Sequence, residues 1–193
     1  MHSAPTLGGI LVGGRARRMH GRPKGNLATP DGTTIVAKLR EACAAAGLRV
    51  VLVGSAASRE PYAAEGLPGI DDDPRAEGPL AGLLALLAAA EGGRVIALAC
   101  DMPFVSGELL ARLARDPDDA PVLAARRDRT WEPFFARYDA ARVLPVALAA
   151  ARSGKLGLQP LLDEAGARPF AMSPDEARAL VDWDRPADME ITT

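Results

Sequence analysis

Two stretches of the sequence carry the residue types that handle phosphate and metal. The first is Gly13-Gly14-Arg15-Ala16-Arg17-Arg18-Met19-His20-Gly21-Arg22-Pro23-Lys24, in which Arg15, Arg17, Arg18, Arg22 and Lys24 follow a glycine pair. Glycines let a backbone turn tightly and approach a ligand with its amides free to donate. A glycine turn followed by five positive charges suits a polyphosphate, although a solvated basic loop would have the same composition. Neither the P-loop spacing nor a Gly-x-Gly-x-x-Gly fingerprint is present. Met19 is expected to pack under the loop. His20 has no second histidine or cysteine nearby to complete a metal set. The second stretch is Cys100-Asp101-Met102-Pro103. Asp101 there is either a turn-capping residue or a ligand for Mg²⁺, which takes one or two carboxylates and fills its shell with phosphate oxygens and water. Cys100 reads as a small buried hydrophobe, since no histidine is near it in sequence to activate a thiolate. Asp182-Trp183-Asp184 offers further carboxylates, either returning to the same site or lying on the exposed face of a strand.

The elements that would position these residues follow from hydrophobic pattern and turn chemistry. Leu7 to Val12 is a short apolar run stopped by glycine and reads as a buried strand. Pro30-Asp31-Gly32 is a turn, and Thr33 or Thr34 caps a helix through Ile35, Val36, Leu39 and Cys43 that ends near Gly47. Arg49 to Val53 is a second strand. Asp71-Asp72-Asp73-Pro74 is too acidic for a core. Gly78-Pro79 opens a helix over Leu80 to Ala90. Arg94 to Ala99 is a strand that delivers Asp101, and Ser106 caps the helix after it. Val122 to Ala125 and Phe134 to Tyr138 are strands. Arg142 to Ala151 is a helix with Pro145 in its first turn, Leu158 to Ala165 is a short helix, and Leu180 to Trp183 is a last strand. Alternating strands and helices predict an α/β fold, a mainly parallel twisted sheet flanked by helices. Ligands of such sheets sit beyond the carboxyl ends of the strands, where the glycine loop and Asp101 fall.

Composition narrows the classes. At 193 residues the chain fits a single domain, 1–193. Its 23 basic and 25 acidic residues give a net charge of −2, which argues against nucleic acid as a partner. Two cysteines are too few for a disulfide framework. The longest apolar run, Leu80 to Ala90, is shorter than the ~20 residues that cross a bilayer, and the start has no basic region of a signal peptide. The expectation is a soluble cytoplasmic protein with reduced thiols and no membrane partner.

The motifs together resemble those of molybdenum cofactor guanylyltransferases (MobA-type), a branch of the nucleotidyltransferase superfamily. Leu11-Val12-Gly13-Gly14-Arg15-Ala16-Arg17-Arg18-Met19 through Lys24 is similar to that family's L-A-G-G-x-S/A-x-R-M-G…K signature. Gly78-Pro79-Leu80-Ala81-Gly82 matches G-P-L-A-G, Cys100-Asp101-Met102-Pro103-Phe104 matches C-D-T/M-P-F/Y, and Glu132-Pro133-Phe134-Phe135-Ala136 resembles H/E-P-L-F-A. Asp184-Arg185-Pro186-Ala187-Asp188 stands where the family ends in N-x-N-T-P-E-D. The resemblance implies a single Rossmann-like domain that transfers GMP from GTP to the phosphate of molybdenum-bound molybdopterin. It implies a nucleotide site of Leu11, Val12, Gly13, Gly14, Lys24, Gly54, Asp72 and Asp101. It gives Arg18 and Lys24 the triphosphate and Asp101 the Mg²⁺, with Asp184 as a second metal carboxylate. GTP and molybdopterin would be the substrates, with transient contact to proteins that carry or accept the cofactor. Three departures stand out. Gly54 aligns with the family's nucleotide-contacting Asn, His20 stands where Gly follows Arg-Met, and Asp182 and Asp184 replace terminal Asn residues. The last pattern is closer to relatives that use CTP. The alternatives are therefore CTP-dependent transfer to molybdopterin, nucleotidyl transfer to another phosphorylated small molecule, or a nucleotide-binding regulator without catalysis.

Overall fold

A computed structural model describes residues 6–13, 23–181 and 183 of the chain. Seven strands form one sheet: β1 (Leu7–Leu11), β2 (Arg49–Val53), β3 (Gly69–Ile70), β4 (Arg94–Ala99), β5 (Val122–Arg127), β6 (Thr130–Asp139) and β7 (Arg168–Pro169). The spatial order is β3-β2-β1-β4-β6-β5-β7. Only β6 runs against the rest, so the sheet is α/β and mainly parallel, as the alternation of elements predicts. The α-helices are α1 (Ile35–Ala45), α2 (Ala56–Arg59), α3 (Pro79–Ala89), α4 (Gly107–Arg115), α5 (Ala140–Arg152), α6 (Leu158–Glu164) and α7 (Pro174–Arg178), with 3₁₀ segments at Lys24–Asn26 and Glu60–Glu65.

Two hydrophobic layers sandwich the sheet. Ile10, Leu52, Ile96 and Leu98 face α1 and α4 on one side. Leu7, Leu11, Val51 and Val53 face α3, α5 and α6 on the other. Alternate residues of each strand point to opposite faces, so a strand covered on both sides reads as one unbroken apolar run. Gly9 fits this layering: a Cβ there would stand 2.5 Å from a Leu86 methyl, so glycine brings α3 close over the central strand. No helix among the described residues is long and apolar enough to cross a membrane.

Local signals set most boundaries. Thr34 caps α1, accepting from the Ala37 amide at 3.2 Å, and Ser106 caps α4, accepting from Leu109. Three expectations are corrected. Helix α5 begins at Ala140 because Asp139 caps it, so Pro145 lies past the first turn and leaves one carbonyl of that helix without its usual amide. The described residues of the expected strand Leu180–Trp183 do not form one: α7 runs to Arg178 and a turn follows, with Leu180 and Trp183 buried in the core layer beside α4. Asp73 is buried at 8 % exposure, because its carboxylate accepts two hydrogen bonds from the Arg75 guanidinium, at 2.9 and 2.6 Å, and one from the Arg75 amide. A buried charge is tolerated when paired and hydrogen-bonded in this way.

Candidate active site

Strand β1 is joined through α1 to β2 on one flank, and β3 leads through α3 to β4 on the other. The connections therefore diverge at the carboxyl ends of β1 and β4, which opens a crevice. A cavity of about 840 Å³ occupies it. Leu11, Val12 and Gly13 form its floor, and the Val12 amide donates to the Val53 carbonyl (2.9 Å), tying the loop's first residue to β2.

Helix α3 supplies one wall. Gly78 holds a left-handed φ of 62° and Pro79 occupies the first helical position, and Gly78, Pro79, Ala81 and Gly82 place the start of the helix on the cavity wall. The partial positive charge of a helix N-terminus favours phosphate. Gly82 lets the helix sit this low, since a Cβ there would meet a Leu11 methyl at 2.9 Å and Asp72 Oδ1 at 3.3 Å. Asp72 faces the cavity between Gly82 and Gly13. Burial raises its pKa, and a hydrogen bond from the Ser55 amide works in the opposite direction.

On the opposite wall, Lys24 opens a short 3₁₀ turn, Lys24–Asn26, and its ammonium lies 2.8 Å from Asp101 Oδ2 at the end of β4. Both side chains are largely shielded, at 23 % and 16 % exposure. The structure thus brings together the two residues that the sequence assigns to phosphate and to metal. The turn is held by the Gly25 amide, which donates to the hydroxyl oxygen of buried Tyr62 (3.2 Å), and by the Asn26 side-chain amide, which donates to the Pro61 carbonyl (3.1 Å). Cys100 is held as a thiol, its pKa pushed up to about 12 by burial and by the neighbouring Asp101, which agrees with the inert role expected of it.

Trp183 returns to the same place. The Trp183 amide donates to the Asp101 carbonyl at 3.0 Å, and the indole, 1 % exposed, packs edge-on to Phe104 with ring centres 5.7 Å apart. Gly14, Arg18 and Asp184, together with the rest of residues 14–22 and Asp182, lie outside the described residues. Gly54 is buried and is not part of the cavity wall. Its φ is 151°, and a Cβ would stand 3.2 Å from the Gly13 nitrogen.

Sequence reasoning missed one wall. Ala57, Ser58, Pro61 and Tyr62 line the cavity from α2 and the 3₁₀ segment Glu60–Glu65. The one available signal was an isolated tyrosine in a polar stretch with no periodicity. Phe134, which also lines the cavity, lies in a strand that was anticipated.

Among the described residues no three of His, Cys, Asp and Glu gather as a metal-holding group. Asp72, Glu77 and Asp101 line the cavity, and Asp101 is the carboxylate that meets the Lys24 ammonium. That donor set suits a Mg²⁺ ion whose remaining ligands come from a nucleotide's phosphates and water.

Comparison with known proteins agrees with this geometry. Residues 8–168 match the MobA-like NTP transferase domain. A molybdenum cofactor guanylyltransferase of Pseudomonas putida is 37 % identical over 158 residues, covering 79 % of this chain and 80 % of the relative. Molybdopterin-guanine dinucleotide biosynthesis protein A from Archaeoglobus fulgidus superposes with a TM-score of 0.78 at 22 % identity, covering 96 % of each chain. The fold is also similar to that of 4-diphosphocytidyl-2C-methyl-D-erythritol synthase from Anaerococcus prevotii, with a TM-score of 0.68 at 10 % identity over 97 % of this chain and 94 % of that one.

Proposed function

The chain belongs to the MobA-like NTP transferase family, and on that premise we propose that it transfers GMP from GTP to the terminal phosphate of molybdenum-bound molybdopterin. Molybdopterin guanine dinucleotide and pyrophosphate are the products. The observation that carries the reading is the meeting of Lys24 and Asp101, 2.8 Å apart, on the wall of the cavity at the sheet's divergence point.

In the proposed step an oxygen of the acceptor phosphate attacks the α-phosphorus of GTP. A new P–O–P bond forms, the bond from the α-phosphorus to the α–β bridging oxygen breaks, and pyrophosphate leaves with the electron pair. A phosphate nucleophile is already ionised at neutral pH, so the site needs no strong general base. Catalysis is then positioning and electrostatic stabilisation. The backbone of Leu11, Val12, Gly13 and Gly14 and the carboxylate of Asp72 hold the nucleotide. The first turn of α3 and the ammonium of Lys24 face its phosphates, and Arg18 adds a second cation for the leaving pyrophosphate. Mg²⁺ held by Asp101, with Asp184 as a second carboxylate, would neutralise phosphate charge and polarise the α-phosphoryl group. The whole span 1–193 acts as one nucleotidyltransferase domain in the cytoplasm, in transient contact with proteins that deliver or receive the cofactor.

The test is pyrophosphate release with GTP, CTP, ATP and UTP in turn, using molybdopterin as acceptor and Mg²⁺ throughout. GTP-selective release supports the proposal. CTP-selective release supports the second reading, transfer of CMP to the same acceptor, which Asp182 and Asp184 in place of the family's terminal Asn residues favour. Tight GTP binding without release points to a nucleotide-binding regulator.

A further inference from the structure

Lys24 can meet Asp101 only if the turn that carries it is held in place, and the fixation comes from the wall that sequence reasoning missed. We propose that Tyr62 is a positioning residue for nucleotidyl transfer, acting through Gly25 to hold the Lys24 ammonium over the phosphate site. The inference rests on the reading of Lys24 as a phosphate ligand.

Three observations support it. Gly25 directly follows Lys24, and its amide donates to the hydroxyl of Tyr62, a residue 2 % exposed. Gly25 also lies so close to the Tyr62 ring and to Val36 that a Cβ would stand 2.8 and 2.4 Å from them, so the backbone behind Lys24 is clamped between a strandless segment and α1. Outside this clamp, Asn26 is bonded to the Pro61 carbonyl, one residue before Tyr62. The segment Glu60–Glu65 therefore grips the turn at successive residues. A lysine side chain has four rotatable carbons, and a shift of 1 Å in its Cα moves the ammonium away from a phosphate oxygen it must meet at hydrogen-bond distance. Tyr62 stays protonated because burial raises its pKa well above the usual tyrosine range. Its oxygen is therefore a neutral acceptor for the Gly25 amide, with no negative charge placed beside Asp101.

The experiment is a double-mutant cycle on pyrophosphate release. Lys24→Ala should lower turnover by on the order of 10²–10³-fold, the size expected when a charge-stabilising donor is lost. Tyr62→Phe keeps the ring and removes only the oxygen, and should lower kcat/KM for GTP roughly tenfold, in line with one orphaned buried amide. On the Lys24→Ala background Tyr62→Phe should have no further effect, because the group it positions is gone. Asn26→Ala loosens the same turn from an exposed position, so folding survives. It should show a smaller drop with the same loss of effect in the absence of Lys24. Thermal melting of each variant fixes an assay temperature at which all are folded. Equal factors for Tyr62→Phe on both backgrounds, or no effect in the wild type, overturn the positioning role alone. Wild-type turnover in Lys24→Ala overturns the phosphate-site reading and the positioning role with it.

Discussion

Asp101 is bonded from two directions: its carboxylate takes the Lys24 ammonium at 2.8 Å, and its main-chain carbonyl takes the Trp183 amide at 3.0 Å. The side-chain and backbone roles are separable. Asp101→Asn removes the charge that Mg²⁺ and Lys24 require but leaves the Trp183 bond in place. Turnover should fall by two or more orders of magnitude, while the protein still folds, since asparagine keeps the shape and the bond to Trp183 is a main-chain one. Steady-state pyrophosphate release beside a melting curve checks both halves. Near-wild-type turnover would remove Asp101 from the metal site.

Asp72 gives a prediction of opposite sign for stability and binding. Its pKa is raised from the usual value near 3.8, chiefly by burial. A carboxyl whose folded pKa lies above its unfolded one binds protons preferentially in the folded state. Stability from this group is greatest below pH 3.8 and declines as pH rises through the folded pKa. At pH 7 the ionised Asp72 is therefore a net cost. Asp72→Asn should raise the melting temperature at pH 7, and the gain should vanish below about pH 3.8. GTP affinity should drop in the same variant. Calorimetry at pH 7 and at pH 3.5, with GTP titration at pH 7, makes the comparison.

Gly54 stands where the resembling family has a nucleotide-contacting Asn. Restoring that residue should not restore the contact. At φ 151° any side chain is strained, and the Cβ would press on the Gly13 nitrogen at 3.2 Å. Gly54→Asn should destabilise the fold by about 1–3 kcal/mol and weaken GTP binding by displacing Gly13. Tighter GTP binding in this variant would show that the β2 loop has room to move.

Asp184 follows Trp183 directly in the chain, and Trp183 is fastened to Asp101. If Asp184 shares the metal, Asp184→Asn should raise the Mg²⁺ concentration for half-maximal rate, with a smaller effect at saturation, because Mg²⁺ prefers a charged oxygen to a neutral one. Superimposable Mg²⁺ titrations of wild type and variant would take Asp184 out of the site.

What was legible in the sequence was whatever one local rule decides. The glycine stop after Leu11–Val12, the Gly78-Pro79 start of α3 and the acid after Ala99 each announced their place, and Lys24 followed from the loop's charge. The wall containing Ser58 and Tyr62 was not legible, because it is built from a four-residue helix and a 3₁₀ segment, which carry too few turns to show a period. Burial of Asp73 depends on Arg75, and that of Arg137 on the carbonyls of Leu113, Asp116 and Asp118. Charge alone argues for exposure in both cases, and only the partner reverses it. Strands β3 and β7, two residues each, exist because neighbours offer them an edge. Val181 and Trp183 have the β-forming character of a strand but find no such edge.

The strand order also dictates a sequence of events on the ribosome. The first described strand, β1, ends in the interior of the sheet, and its second neighbour, β4, is translated only after β2, β3 and α3. Lys24 precedes Asp101 by 77 residues, an interval of roughly 4–15 s at ordinary elongation rates. Throughout it β1 has at least one unpaired edge, the kind of surface that attracts chaperones or a neighbouring nascent chain. When β4 docks, it closes that edge and brings Asp101 to Lys24 in the same event, so newly made chains gain the means to grip a nucleotide only when β1 is paired on both sides.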